Sequence, residues 1–418
     1  MTHEIVSIHV GHCGNRIGSS FWDMVNKEHS INQSFLYNKY DFDYQLKNIE
    51  VYYNETMFCN FIPRAIFIDS DEESMNSLKK KAFFDSSNII YADPKIYNNW
   101  AAGFYPEDRN LIETIKEIIR KETELCDMLS GFHLFHSLGG GIGSGLGCLI
   151  LKELRDEYPE QVLSTFSIFP SKKIDDSNYS RHLYNCILSL NQLNQTADEI
   201  FYFDNEELYD ICFHKLKIYT PAFYDLNYPA LCCMSSITSS LRYPDQLNSD
   251  LRKIYNNIIP FPRLKFIKST YFPYHSRGEC CSLLEIGVLS SFFSEKNEND
   301  RLCSYINLNG RFRTDEVNKL IDIAKSKEIT DLKVSLYKTR IGSSRSATLI
   351  ENSTNINSLL ERQKKDFLYL YKKRLYTQYY INEGLDDEEF ENANLAVTDL
   401  IQDYEDFCHS NEEEEYYM

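Results

Sequence analysis

The chain has 418 residues, 43% of them hydrophobic, with 62 acidic against 44 basic side chains and a formal net charge of −18. So long a chain outgrows a single hydrophobic core, and two or three domains are expected. The acidic balance argues against a nucleic-acid-binding surface, which needs clustered Lys and Arg, and suits partners with basic patches.

No stretch reaches the length of a membrane span, and Met1-Thr2-His3-Glu4-Ile5 lacks the basic and apolar pattern of a secretory leader. The 12 cysteines show no C-x-x-C spacing and no zinc-finger spacing to histidine. They read as reduced thiols, so a cytoplasmic protein with no membrane and no nucleic-acid partner is expected.

In chain order, Val6, Ile8 and Val10 alternate as in a strand, Gly11-His12-Cys13-Gly14-Asn15 turns the chain, and Ile17, Phe21 and Val25 share one helix face. Ala65–Ile68 is a short apolar strand ending in Asp69-Ser70-Asp71. Leu111, Ile115, Ile118 and Ile119 form a helical stripe, followed by a strand over Phe132–Leu138 and a helix over Leu146–Tyr158. Val162–Phe169 and Glu199–Phe203 are further strands, and Asp204 fits a helix N-cap with Glu207 in capping-box position. Strands alternating with helices predict an α/β fold with a doubly wound, mostly parallel sheet, whose ligands bind at the carboxyl ends of the strands.

Past about residue 260 mixed strands and a helix over Thr314–Ala324 predict an α+β part. From Asn355 two long helical stretches follow, the second with Phe390, Ala393, Val397, Leu400, Ile401 and Tyr404 on one stripe. Glu412–Glu415 and the residues after it read as an acidic tail too polar to pack.

The segment Ser137-Leu138-Gly139-Gly140-Gly141-Ile142-Gly143-Ser144-Gly145 joins a strand to a helix. Glycines let the main chain approach a ligand, and the unpaired N–H groups and dipole of the following helix favour an anion. The segment is therefore a candidate phosphate seat. It is neither a Walker A loop, since Leu146 follows Gly145, nor a Rossmann G-x-G-x-x-G, since Leu146 or Cys148 stands at the third position. His133 and His136 flank this strand and read as satisfied core or turn histidines. No Ser/His/Asp or Cys/His constellation supports a free-standing enzyme.

Gly139–Gly145 resembles the tubulin signature loop, with Ile142 where that family has Thr. The resemblance runs the length of the chain, through Gly11–Asn15, Val51–Glu55, Asn98-Asn99-Trp100, Asp204-Asn205-Glu206, Asp225-Leu226-Asn227 and Pro260–Leu264, and is strongest to the β type. It implies a tubulin-like GTP-binding domain over 1–204, an intermediate domain over 205–354 with a core helix and a lateral-contact loop, a helical region over 355–408 and an acidic tail over 409–418. It also implies GTP or GDP with Mg2+ as cofactors. Ser137, Gly140, Gly141, Ile142 and Gly143 match phosphate-loop positions, and Asn205 and Asn227 the asparagines that read guanine, for which an amide offers donor and acceptor. Phe223 matches the ring that stacks on the base. His12, Cys13 and Arg16 lie beside the nucleotide, and Asp71 near the magnesium, where Asp69 and Asp71 together fit an ion site. Asn248, Lys253 and Arg277 match inter-subunit positions. Lys253 falls where the α type has the glutamate that activates water against its neighbour's GTP; a lysine instead offers a point charge to phosphates.

The resemblance thus implies a structural subunit that pairs with α-tubulin, stacks with other tubulin subunits into cytoplasmic microtubules, and meets microtubule-associated proteins through its tail. Departures cluster at the nucleotide. Ile142 loses a hydroxyl, His12 and Arg16 replace glutamines, and Asp93-Pro94-Lys95-Ile96-Tyr97 replaces a glycine-rich loop. The Ser171–Arg181 loop lacks the ribose-binding glutamate, and Ser282 stands near the position of a lateral aromatic anchor. The alternative expectation is a tubulin relative with impaired hydrolysis, acting as a microtubule cap or a basal-body or axoneme component.

Overall fold

The computed structural model describes residues 3–31, 47–56, 60–96, 98–107, 109–243, 250–274, 301–326, 332–337 and 345–416. Its strands are β1 (Glu4–Val10), β2 (Tyr53–Glu55), β3 (Phe61–Pro63), β4 (Ala65–Asp69), β5 (Ile89–Tyr91), β6 (Leu129–Ser137), β7 (Val162–Phe169), β8 (Glu199–Asp204), β9 (Phe266–Phe272), β10 (Arg301–Gly310), β11 (Leu332–Tyr337) and β12 (Arg345–Ser353). Ten of these form one sheet in the order β11-β10-β12-β9-β8-β7-β6-β1-β4-β5. From β5 across to β9 every pairing is parallel. β12 then runs antiparallel to both β9 and β10, and β11 pairs parallel with β10. The strands beyond residue 260 thus extend the same sheet, joined through β8 and β9.

The central strands are buried on both faces, as parallel strands between helical layers must be. Alternation along β1 sends Val6, Ile8 and Val10 to one core and Ile5 to the other. On the first face lie α4 (Arg109–Glu124), α5 (Gly147–Glu157), α6 (Tyr179–Thr196) and the carboxyl-terminal helices Ile356–Lys372 and Asp387–Tyr416. The second face is covered by α1 (Gly11–Glu28), α2 (Glu72–Lys79), α8 (Phe223–Arg242) and α9 (Leu251–Ile258). A smaller core joins β10 and β12 to the helix Thr314–Lys325. All six residues of the expected terminal stripe, from Phe390 to Tyr404, are buried.

Two local expectations are corrected. The chain does not turn over Gly11–Asn15; the α1 helix begins at Gly11, whose φ of +74° makes the turn in a single residue. Asp204 caps α7 (Asn205–Asp210) by accepting from Glu206 N–H, and Glu207 does not close a capping box. Its carboxylate pairs instead with Lys268 at 2.8 Å, a stronger partner than a backbone amide. The helix that starts at Asp387 runs on to Tyr416, through the acidic stretch Glu412–Glu415, because glutamate is a good helix former and the helix is already nucleated.

Candidate functional site

The expected nucleotide residues gather where a doubly wound sheet binds ligands, past the carboxyl ends of its parallel strands. Gly11–Arg16 follow β1, Asp69 ends β4, Ser137 ends β6 with Gly139–Gly143 just beyond it, and Asn205 follows β8.

The glycine stretch is less of a loop than its composition predicts. Helical structure begins at Gly141, widens into a π turn over Ile142–Leu146 and becomes α5. Most of its glycines serve close packing of main chain on main chain. A Cβ at Gly141 would lie 2.2 Å from the Ile96 carbonyl, at Gly143 2.8 Å from the Ser137 carbonyl, and at Gly145 2.1 Å from the Trp100 carbonyl. A Cβ at Gly11 would lie 2.9 Å from Gly143 N, which sets the β1 turn directly against the stretch. Gly140 alone among the glycines of this stretch has nothing within 4 Å, so it marks the open side. The first N–H groups of the helical stretch have no carbonyl ahead of them and, with the helix dipole, can hold an anion.

Ile142 and Ile96 do not crowd this side. Both side chains are buried, 5% and 3% exposed, in one core with Trp100. What Ile142 offers a ligand is its N–H. Pro94–Ile96 form a 3-10 turn whose start is capped by Asp93, which accepts from Lys95 N–H at 2.9 Å. Ser137 Oγ accepts from Gly139 N–H at 3.3 Å, bracing the bend from inside.

Asn185, a buried residue that holds the stretch, was not singled out by the sequence, and His136, read there as a core or turn histidine, also holds it. Asn185 ties Gly139 to Asn98 and Trp100. Its signal was present: an amide sits within the apolar run Leu183-Tyr184-Asn185-Cys186-Ile187-Leu188, where only a satisfied polar group is tolerated. His133 and His136 are both core histidines, His133 bonded to Tyr52 and His136 to Gly143 and Ser167.

On the neighbouring strand end, Asp69 is 3% exposed. Its Oδ1 accepts from Ser70 N–H at 2.8 Å, and its buried Oδ2 has no partner. Burial raises its pKa, opposed by the Ser70 bond and the nearby His12. Asp71 caps α2 and pairs with His12 Nδ1 at 3.3 Å, both side chains nearly half exposed. Burial pushes the Cys13 thiol up to about 12, against the pull of exposed Arg16. Among the described residues no three His, Cys, Asp or Glu side chains form a closed metal cage. Magnesium does not need one, since it is usually held by one or two carboxylates with substrate phosphates and water. The orphan oxygen of Asp69 fits that use.

Asn205 opens α7 beside the Asp204 cap, where Asp204 and Glu206 are gripped by Arg362 at 2.8 and 2.7 Å. Phe223 opens α8 and is 55% exposed, so it is not a core ring; Asn227 stands one turn on, on the same face.

Residues 4–213 match the Tubulin/FtsZ family, GTPase domain. The chain is also 38% identical to the "Tubulin beta chain, nucleomorph" of Guillardia theta, over 97% of this chain and 96% of that relative. The chain belongs to the tubulin family. A second relative, the "Tubulin beta-3 chain" of Oomycete-like sp. (strain MacKay2000), is likewise 38% identical, over 99% of this chain and 97% of its own length. This is a divergent tubulin on the β side, with the guanine-nucleotide-binding GTPase domain of its family.

In this tubulin Lys253 lies far from the glycine stretch. Asp250 caps α9, accepting from Lys253 N–H at 2.9 Å, and the half-exposed Lys253 ammonium is 3.8 Å from the same carboxylate. Leu251 of α9 packs at the start of β6, 3.0 Å from where a Cβ of Gly131 would be. Asn248, Arg277, Tyr97 and Ser282 fall outside the described residues.

Proposed function

We propose that this chain is a β-type tubulin subunit that holds GTP or GDP with Mg2+ at the glycine stretch, pairs with an α-type partner and stacks head to tail into microtubules. The observation that carries the reading is the separation of two sites along β6. The glycine stretch follows its carboxyl end and the Lys253 helix packs at its amino end. The strand from Gly131 to Ser137 puts about 20 Å between them. In a head-to-tail stack the Lys253 end of one subunit meets the nucleotide end of the next. Both ends of the subunit are then used, and each nucleotide is covered by a neighbour.

On this reading Gly140–Gly143 give their N–H groups to phosphates, Asn205 and Asn227 meet the guanine edge, and Phe223 stacks on the base. Asp69 and Asp71 would hold the magnesium, which screens phosphate charge when bound. Lys253 has no carboxylate to activate water, so this chain does not cleave its neighbour's nucleotide. Its own nucleotide awaits a carboxylate from the partner. The acidic end suits microtubule-associated proteins with basic surfaces.

The test is co-expression with an α-type partner, followed by size analysis and nucleotide extraction. A one-to-one heterodimer with two guanine nucleotides is expected; a lone, nucleotide-free monomer would sink the idea. The turn at Pro94–Ile96, where the family has a glycine-rich loop, favours a second reading in which hydrolysis is slowed. GTP persisting in this subunit after assembly would select that reading, and complete conversion to GDP would exclude it.

A further inference from the structure

We propose that His136 is a positioning residue for nucleotide phosphates, acting by holding the carbonyl of Gly143 away from the ligand. The inference rests on the reading of the glycine stretch as the phosphate seat.

A main-chain stretch that binds an anion must present N–H groups and turn its carbonyls elsewhere, because each peptide flip replaces a donor with a repelling oxygen. Three carbonyls here are captured. Asn185 Nδ2 donates to Gly139 O at 2.6 Å. Ser144 donates twice to Gly140 O, from its N–H at 2.9 Å and its hydroxyl at 2.6 Å. His136 Nδ1 lies 2.8 Å from Gly143 O. The first two captures are made beside the bend. The third comes from beneath, out of the sheet itself.

The tautomer follows from the partners. A carbonyl can only accept, so Nδ1 carries the hydrogen. Nε2 must then accept, and it does so from Ser167 Oγ at 2.8 Å on the next strand. With the Ser167 hydrogen directed at Nε2, the Ser167 oxygen is left to accept from Thr165 Oγ1, 3.1 Å away on the same strand. The bonds therefore tie the phosphate stretch to two adjacent parallel strands, β6 and β7. Gly147 packs beside the ring, since a Cβ there would lie 3.2 Å from Nδ1. Burial also drives the imidazole pKa down to about 4, so it stays neutral and keeps the single tautomer that the geometry needs.

Two amide replacements separate this role from plain packing. His136→Asn can place its amide nitrogen near the Nδ1 position, whereas His136→Gln reaches the Nε2 position and leaves Gly143 O without a donor. The measurement is the affinity of the full chain for GDP, GTP and guanosine, with thermal unfolding of each variant alongside. Wild type and His136→Asn are expected to share the same preference for GDP over guanosine. His136→Gln is expected to lose about tenfold of it, the weight of one well-placed hydrogen bond, with guanosine binding unchanged. Ser167→Ala, which frees the ring to change tautomer while keeping its volume, is expected to lower the preference by about threefold.

If Gln serves as well as Asn, if GDP and guanosine affinities fall together, or if Ser167→Ala leaves the preference untouched, His136 is only a core histidine. A wild-type chain that binds guanosine as tightly as GDP would instead remove the phosphate seat on which the inference rests.

Discussion

The Asn185 side chain donates to the Gly139 carbonyl over 2.6 Å while its oxygen accepts from Trp100 N–H over 3.1 Å. The same amide reaches the Asn98 carbonyl at 3.2 Å, and the Tyr380 hydroxyl donates to its oxygen at 2.8 Å. One fully buried residue of α6 thus joins the glycine stretch, the segment ahead of α3 (Trp100–Phe104) and the carboxyl-terminal helices. Asn185→Asp keeps both acceptor contacts but turns an oxygen toward two carbonyls. It is expected to loosen nucleotide binding at least tenfold and to destabilise the fold by about 3 kcal/mol. Nucleotide exchange rates and denaturant unfolding check this. Unchanged exchange would mean that the stretch holds its shape without Asn185.

The glycines divide by what surrounds them. Gly140 has open space and ordinary φ, so Gly140→Ala is expected to fold within about 1 kcal/mol of wild type and to act, if at all, on nucleotide affinity. Gly145→Ala would drive a methyl into the Trp100 carbonyl and is expected to cost about 3 kcal/mol or more. Thermal unfolding of the two variants without nucleotide separates these effects. Equal losses would contradict the packing role given to Gly145.

That division also shows what the sequence could carry. Period and alternation placed the parallel strands and their helices, since Val6, Ile8 and Val10 or Phe390 through Tyr404 need only local geometry to be read. The nucleotide end was visible because a glycine run between strand and helix is a local signal. Its inner workings were not. Whether Gly145 faces a ligand or the Trp100 carbonyl depends on a segment 45 residues away, and Asn185 meets Gly139 and Tyr380 across separations of 46 and 195 residues. The direction of Ile142, into the core, likewise depends on Ile96 and Trp100. The Asp204 cap was local and legible, whereas the diversion of Glu207 to Lys268 was not.

Acid should unfold this chain through its buried histidines. Burial lowers His9 and His133 to about 3 and His136 to about 4, from 6.5. The unfolded chain therefore binds more protons below 6.5, so stability is full above that pH and is lost as pH falls toward 4. Each histidine contributes about 1.4 kcal/mol per pH unit within its window. Glu199 works in the opposite sense. Burial raises it from 4.5 to about 8, so its ionisation weakens the fold as pH rises between those values. Glu199→Gln, which keeps an acceptor for Ser164, is expected to gain on the order of 5 kcal/mol above pH 8 and nothing below 4.5. Urea unfolding across pH 4 to 9 tests both slopes, and a flat profile would contradict them.

Asp69 carries a buried oxygen with no partner, and Asp69→Asn keeps the acceptor for Ser70 N–H while removing the charge. If that oxygen serves a cation, the variant is expected to lose about tenfold of the magnesium dependence of nucleotide affinity. Its stability without nucleotide should not fall, because burial already opposes the ionised form. A drop in stability with the magnesium dependence intact would make Asp69 structural. Titration with nucleotide at several magnesium concentrations reads the difference.

Lys253 permits a test of orientation within a polymer. Its amide is fixed by the Asp250 cap and its ammonium lies at the end of the molecule remote from the glycine stretch. A charge so placed does little for its own subunit, so Lys253→Ala is expected to leave unfolding unchanged. In the heterodimer the same substitution should speed release of the partner's nucleotide, more at low salt than at high, because a half-exposed ammonium acts through a screened field. Lys253→Glu places at that end the carboxylate that the resemblance assigns to the α type, which can orient water toward the neighbour's phosphates. The expected result is GDP in place of GTP in the partner after dimerisation, read by mass analysis of the extracted nucleotides. If neither variant alters the partner's nucleotide, Lys253 does not face it, and the head-to-tail arrangement fails at the contact that defines it.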